Sequence, residues 1–215
     1  MAAPCLRKKR MSIRNGADRD VRPSNFENTI ILLIGFAGTG KFTIARELCD
    51  RTGAKLIDNH LINNPVFKVV NPDGITPLPD AIWDKVKAVR AIVYEAIREL
   101  SPPEMSFVFT IELIEGKPGE QKAFDDLEKL AATRKSLFLP VRLICDVEEL
   151  CRRVFDPGRI QMIKSISPAE ARRKSANESV LNSSHPHTLT LDVTKKTPGE
   201  SAESILYHLG KIRAR

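Results

Sequence analysis

A glycine-rich segment, GFAGTGKFT at residues 35–43, has the residue types and spacing of a phosphate-binding loop. Gly35, Gly38 and Gly40 let the backbone adopt positive φ values and approach an anion closely. Successive backbone amides can then point inward, and the N-terminus of a following helix adds positive potential. Lys41 supplies a point charge for the β and γ phosphates of a nucleotide. The pattern predicts polyphosphate binding, and a glycine-rich turn without a ligand is the less favoured interpretation.

Phe42 occupies the position after the lysine, where such loops usually carry a hydroxyl that helps to hold Mg²⁺. Thr43 follows it, so we predict that Thr43 supplies this hydroxyl, either directly or through a water molecule. The residues predicted to surround the nucleotide phosphates are Gly35, Ala37, Gly38, Thr39, Gly40, Lys41, Phe42 and Thr43.

Two acidic residues end short apolar runs further along the chain. Asp58 ends AKLID, and Glu112 ends FVFTIE beside Thr110. Because the carboxyl ends of parallel strands face the ligand crevice of a doubly wound sheet, both carboxylates can lie near the phosphate loop. Glu112 is the candidate for polarising a Mg²⁺-bound water, with a solvent-facing side chain as the alternative. Asp58 has helix capping as its alternative.

Short apolar runs alternate with helical segments from residue 29 onward, which predicts an α/β fold with a parallel sheet covered on both faces. The central run, TIILLIG, has the continuous apolar character of a strand buried on both sides. Pro140 suggests an edge position or a bulge in its strand. The predicted strands cover 29–35, 54–58, 106–114, 136–145 and 188–193, and the predicted helices cover 41–49, 61–70, 80–100, 121–134, 147–155, 168–182 and 199–213.

The composition is that of an ordinary globular protein of 215 residues, with 42% hydrophobic and 28% charged side chains. It excludes collagen-like, mucin-like and wholly disordered classes, and the longest apolar run, Ile30–Ile34, is too short for a membrane span. The net charge is +7, but seven basic and three acidic residues lie within 1–28. We therefore predict a disordered basic leader over 1–28, a folded domain over 29–215, and no preference for nucleic acid.

The four cysteines have no spacing typical of a zinc site, and no apolar secretory segment precedes them. Reduced thiols and a cytoplasmic location are therefore expected.

The phosphate loop, the five-strand pattern and the chain length together resemble the P-loop small-molecule kinases, a group that includes shikimate, gluconate and nucleoside monophosphate kinases and chloramphenicol phosphotransferase. The resemblance covers roughly 29–213 and is closest to uncharacterised ATP-binding members. It implies a three-layer, doubly wound parallel sheet in the order 2-3-1-4-5. It also implies that Asp58, at the end of the second strand, orients the acceptor hydroxyl, accepts its proton or supports Mg²⁺. The polar residues that follow can hydrogen-bond a polyol or phosphate acceptor, with ordinary loop contacts as the alternative; they are His60, Asn59, Asn63 and Asn64.

The same resemblance implies a basic lid at about 152–168, after the helix that follows the fourth strand. Mobile cations there stabilise the charge that phosphoryl transfer spreads over the phosphate oxygens. Arg153 and Arg159 are the leading candidates, and an exposed basic helix is the alternative. The further lid cations are Arg152 and Lys164, and the loop that would line the adenine base contains Thr194, Lys195 and Pro198.

The expected function is therefore an ATP- and Mg²⁺-dependent kinase of a small hydroxylated or phosphorylated molecule, acting as a monomer or a homodimer. A P-loop ATPase or a nucleotide-binding regulatory protein without small-molecule kinase activity is the alternative, and a toxin-like kinase of a cell-wall sugar nucleotide shares the same loop. The acceptor cannot be read from the sequence, because acceptor pockets in this fold have no fixed motif.

Overall fold

A five-stranded sheet forms the centre of the protein. The computed structural model describes residues 26–70, 79–155 and 167–214. The strands are β1 (Thr29–Ile34), β2 (Lys55–Asp58), β3 (Phe107–Ile111), β4 (Leu137–Ile144) and β5 (Leu189–Asp192). They lie in the order β2-β3-β1-β4-β5, and every neighbouring pair is parallel. The predicted fold class and strand order are confirmed.

Helices connect these strands, and polar side chains cap the N-termini of several of them. The Asp146 carboxylate accepts the N–H groups of Glu148 and Glu149 at the start of α5, and Thr197 forms a reciprocal capping box with Glu200 at the start of α7. None of the described helices is both long enough and apolar enough to cross a membrane. The helices are α1 (Lys41–Thr52), α2 (Asn59–Val70), α3 (Ala81–Leu100), α4 (Pro118–Arg134), α5 (Val147–Val154), α6 (Pro168–Asn177) and α7 (Pro198–Arg213).

All six residues of β1 are buried, because both faces of the sheet are covered. Ile31 and Leu33 point to the face covered by α1 and α7. Ile30, Leu32 and Ile34 point to the opposite face, which carries residues of α3 and α4. Because side chains alternate along a strand, this continuous apolar run is divided between two cores. The end of β1, where the glycine-rich segment begins, is therefore packed on both faces.

Packing against the core extends before β1 to Phe26, the first described residue, which is buried. The backbone N–H of Asn28 donates to the Glu104 carbonyl, and the N–H of Leu137 donates to the Asn28 carbonyl. Residues 26–28, which lie within the predicted basic leader, are therefore part of the fold. The rest of that predicted leader lies outside the described residues.

Three local details differ from the sequence-based expectations. The strand that contains Pro140 is an inner strand, but its pairing with β5 begins only at Val141, so at Pro140 only β1 is a neighbour and the missing N–H is tolerated. Asp80 precedes α3 without a capping hydrogen bond from its side chain. Helix α6 ends at Asn177 rather than near residue 182, because an antiparallel bridge between Ile114 and Val180 draws the following backbone into extended pairing.

Candidate nucleotide-binding site

The glycine-rich loop connects β1 to α1 at the carboxyl edge of the sheet, as predicted. Gly38 and Gly40 have φ values of 89° and 82°, which side-chain-bearing residues rarely adopt. A Cβ atom added at Gly38 would lie 2.9 Å from Val154 Cγ1 and 3.1 Å from the Leu150 carbonyl oxygen. The loop therefore packs directly against α5, and only glycine fits at this contact.

Polar contacts hold the loop in shape around Lys41. The Lys41 ammonium donates to the carbonyl oxygens of Gly35 and Phe36, at 2.6 and 2.9 Å. The Thr39 hydroxyl also donates to the Phe36 carbonyl, at 2.9 Å. The Thr43 hydroxyl donates to the Gly40 carbonyl at 2.9 Å from the first turn of α1. The cation and the hydroxyl assigned to phosphate and metal binding thus lie on the same short loop.

Asp58 lies at the end of β2, in register with Thr110 of the neighbouring strand β3. The Thr110 hydroxyl donates to Asp58 Oδ1, and the backbone N–H of Asn59 donates to Thr110 Oγ1 at 3.2 Å. Because Thr110 is buried, it fixes the orientation of the Asp58 carboxylate. The structure therefore places this predicted residue at the sheet edge that carries the phosphate loop.

Glu112 follows the last residue of β3 and turns toward the phosphate loop. Its Oε2 atom accepts the Ala37 N–H at 2.9 Å, and its Oε1 atom accepts a hydrogen bond from the Lys174 ammonium at 2.5 Å. Burial opposes ionisation of this carboxyl, but the charges of Lys41 and Lys174 outweigh that effect and hold its pKa below the usual value. Of the two sequence interpretations, the solvent-facing one does not match this position.

Lys174 was not identified from the sequence. It belongs to the run RRK on α6, 62 residues from Glu112, and nothing in the local pattern distinguishes it from its basic neighbours. Burial disfavours its charged form, but the Glu112 carboxylate outweighs this and raises the pKa of Lys174. The backbone pairing of residues 113–115 with 179–181 brings α6 beside the phosphate loop.

The two arginines predicted for the lid, both on α5, have different environments. Arg153 donates to Glu149 at 2.6 Å and to the carbonyl oxygens of Val193 and Thr194, each at 3.0 Å. Arg152 is largely exposed and pairs with Glu149 at 2.7 Å. Hydrogen bonds from both guanidinium groups lower the pKa of Glu149 to about 2. In this conformation Arg153 holds α5 against the loop after β5, and its action on a nucleotide stays a prediction.

Arg159 and Lys164, the remaining predicted lid cations, lie outside the described residues. Arg159 therefore has no assigned position in the site.

The loop between β5 and α7, predicted to line the adenine base, is fixed by its own hydrogen bonds. Asp192 Oδ1 accepts the N–H and the hydroxyl of Thr194, at 2.8 and 2.6 Å. Thr194 Oγ1 in turn accepts the N–H of Asp146 at 2.9 Å. Lys195 is exposed, and Pro198 is the first residue of α7. A role for Thr194, Lys195 and Pro198 in base binding stays a prediction.

Comparison with known proteins gives no match among protein-family models and none among curated proteins, but solved structures with the same architecture exist. A gluconokinase from Sinorhizobium meliloti 1021 superimposes with a TM-score of 0.54 at 15% identity, covering 86% of this chain and 93% of that one. A sugar kinase from Janibacter sp. HTCC2649 gives 0.55 at 16%, covering 87% and 97%. A thymidylate kinase from Candida albicans gives 0.53 at 17%, covering 87% and 93%.

The chain has the fold of the P-loop small-molecule kinases. At these identities the similarity shows the fold alone, so the residues themselves must carry any argument about activity. In this P-loop kinase fold, the sheet edge described above is the crevice edge of a doubly wound sheet, where ligands bind.

Polar side chains also follow Asp58 on α2, on the side predicted to receive an acceptor. Asn63 is only 4% exposed, and its Oδ1 atom has no hydrogen-bond partner among the described residues. Arg90 of α3 donates to Asn59 Oδ1 at 3.4 Å. Tyr94 of α3 packs edge-on against Phe109, and burial raises its pKa. Asn63 thus carries a buried acceptor atom on the helix that follows Asp58, whereas Tyr94 belongs mainly to the core.

The Thr43 hydroxyl and the Glu112 carboxylate suit Mg²⁺ that is bound together with a nucleotide. No group of three or more His, Cys, Asp or Glu side chains able to hold a metal is found in the described parts of the chain. Mg²⁺ usually relies on one or two protein oxygens, on waters and on substrate phosphates. The Thr43 hydroxyl provides such an oxygen on the loop. Glu112 already accepts one hydrogen bond on each carboxylate oxygen, so it fits an indirect role through water.

Proposed function

We propose that this protein is an ATP-dependent, Mg²⁺-requiring kinase that phosphorylates a small hydroxylated or phosphorylated molecule. The observation that supports it most directly is the position of the Asp58 carboxylate, fixed by Thr110, on the same sheet edge as the phosphate loop. A phosphate loop alone serves ATPases equally well. A fixed carboxylate two strands away from the loop adds a group that can act on an acceptor.

Lys41 would leave the loop carbonyls to bind the β and γ phosphates, and the loop amides would bind their oxygens. Its charge stabilises the negative charge that builds up on the phosphate oxygens as the bond between the γ phosphorus and the bridging oxygen breaks. When bound, Mg²⁺ would supply further positive charge to the phosphate oxygens. Thr43 would hold it directly or through water.

Asp58 would accept a hydrogen bond from the acceptor hydroxyl and take its proton as the new phosphorus–oxygen bond forms. The Thr110 hydroxyl occupies one oxygen of Asp58, so the other oxygen would serve the acceptor. Most of the rate enhancement would then come from positioning and electrostatics, as is usual for phosphoryl transfer.

The experiment measures ATP binding by calorimetry and ADP release with a panel of sugars, sugar acids, nucleosides and aminoglycosides. Lys41→Ala should abolish ATP binding, whereas Asp58→Asn should bind ATP normally but lose about 10²-fold or more of the transfer rate. Lys122→Ala and Asp126→Asn, at an exposed ion pair on α4, are the matched controls. ADP release that does not depend on any acceptor, or normal ATP binding by Lys41→Ala, would refute the proposal.

A further inference from the structure

A carboxylate occupies one amide of the phosphate loop, which is an unusual arrangement for an anion-binding site. Glu112 accepts the Ala37 N–H, in a loop whose amides are otherwise suited to phosphate oxygens. A negative charge at this position repels a nucleotide unless a cation cancels it. Such a cation must remain beside Glu112 when the nucleotide is bound.

Two lysines surround the Glu112 carboxylate. Lys41 belongs to the loop and would move its charge to the nucleotide phosphates, as proposed above. Lys174 donates directly to Glu112 Oε1 at 2.5 Å from α6, and the two side chains are only 28% and 25% exposed. If Lys41 binds the nucleotide, Lys174 is therefore the cation that stays bonded to Glu112.

The attachment of α6 supports a specific role for this ion pair. Helix α6, which the structure describes throughout, has no buried residue. Its polar contacts with other elements include two ion pairs, Lys174 with Glu112 and Arg172 with Glu148 of α5, besides a hydrogen bond from the Cys151 thiol to the Pro168 carbonyl. The ion pair with Glu112, which is itself bonded to the phosphate loop, is thus one of the contacts that hold this helix in position.

We infer that Lys174 is a positioning residue for nucleotide binding: it holds Glu112 on the Ala37 amide and cancels its charge, so that the loop accepts a polyphosphate. This inference rests on the proposed function, because it requires that the loop binds a nucleotide. Lys174 acts through Glu112 and not on the nucleotide itself. Without the ammonium, Glu112 is an uncompensated negative charge beside the phosphates.

A double-mutant cycle tests this role with ATP as the probe, titrated into the full-length protein by calorimetry with and without Mg²⁺. Lys174→Met should weaken ATP binding roughly tenfold, the order expected for one partly screened charge at this range. In the Glu112→Gln background the same substitution should change the affinity less than about twofold. Lys174→Arg should retain the affinity, because it keeps the charge and the hydrogen bond.

Arg173→Met is the matched control, since it removes one positive charge from the adjacent, exposed position of α6 and should leave the affinity unchanged. Urea unfolding of each variant reports the folded fraction, and Lys174→Gln repeats the cycle with a different neutral side chain. An equal loss in both backgrounds would mean that Lys174 acts on the nucleotide directly, and no loss in either would remove its role; both results overturn the inference. Failure of the unsubstituted protein to bind ATP would instead overturn the proposed function.

Discussion

Arg153 and Arg152 are adjacent on α5 and pair with the same carboxylate, so comparing them isolates the contacts that Arg153 makes elsewhere. The Arg153 side chain is 22% exposed and that of Arg152 is 73% exposed. Arg153 additionally donates to the carbonyl oxygens of Val193 and Thr194. We predict that Arg153→Met destabilises the fold, whereas Arg152→Met does not do so measurably.

The magnitude follows from the two carbonyl contacts. One N–H₂ group of Arg153 serves both carbonyls, and hydrogen bonds that involve a charged group contribute about 1.5–3 kcal/mol. Loss of this group removes the charged donor from both carbonyls, and only the Val193 carbonyl keeps another hydrogen bond, a long one from the Lys196 N–H at 3.4 Å. We therefore expect the free energy of unfolding to fall by roughly 2 kcal/mol. With a urea dependence of about 2 kcal/mol per molar, the midpoint should shift by about 1 M. Arg152 makes an exposed ion pair of a kind that rarely affects stability.

Urea unfolding followed by circular dichroism measures both midpoints, and ATP titration of the same samples measures binding. The expected result is a lower midpoint for Arg153→Met only. Equal midpoints for the two variants would refute it. An unchanged Arg153→Met midpoint together with weaker ATP binding would show that the guanidinium acts on the nucleotide and does not hold the loop after β5.

Two further predictions concern α5 and the phosphate loop. Gly38→Ala should lower the free energy of unfolding by about 2 kcal/mol or more in the urea assay. The reason is that φ is positive at Gly38 and that the new Cβ atom would lie 2.9 Å from Val154 Cγ1. Gly119→Ala is the control: no atom lies within 4 Å of its added Cβ, so it should be neutral or stabilising, and equal effects of the two substitutions would contradict the prediction. The free energy of unfolding should also fall as the pH drops from about 4.3 toward 2. The pKa of Glu149 is lowered to about 2 in the folded protein, so the stabilisation present above the unfolded pKa is lost as the carboxyl is protonated. Glu149→Gln should reduce the slope of the unfolding free energy against pH in this range, and an unchanged slope would contradict the prediction.

The sheet and the phosphate loop could be predicted because their signals are local. TIILLIG is continuous in sequence, and Gly38 and Gly40 of the loop have the predicted positive φ values. Gly35 does not; glycine is needed there because an added Cβ atom would lie 2.7 Å from Thr39 Oγ1. Asp58 could be placed because parallel strands end on one edge, so its position follows from the topology alone. Its partner Thr110 lies 52 residues away, yet the register of β2 on β3 brings the two together.

Lys174 and the carbonyl contacts of Arg153 could not be predicted, because each depends on pairing between distant segments. Lys174 reaches Glu112 only because residues 179–181 pair with residues 113–115 and end α6 early. Arg153 reaches the loop after β5 only because α5 packs on the phosphate loop through Gly38. Neither residue type nor spacing indicates these contacts.

The position of α5 links the phosphate loop to the loop predicted to bind the base. Its apolar side contacts Gly38 through Val154 and Leu150, and its polar side is bonded to the Val193 and Thr194 carbonyls through Arg153. A displacement of α5 large enough to carry Arg153 over a nucleotide would therefore break two hydrogen bonds and separate the apolar contact at Gly38. The contacts of Arg153 oppose such a movement, whereas Arg152 is exposed and pairs only with Glu149 among the described residues. If one arginine of α5 turns toward bound phosphates, the structure favours Arg152, and Arg153 would keep the two loops in register.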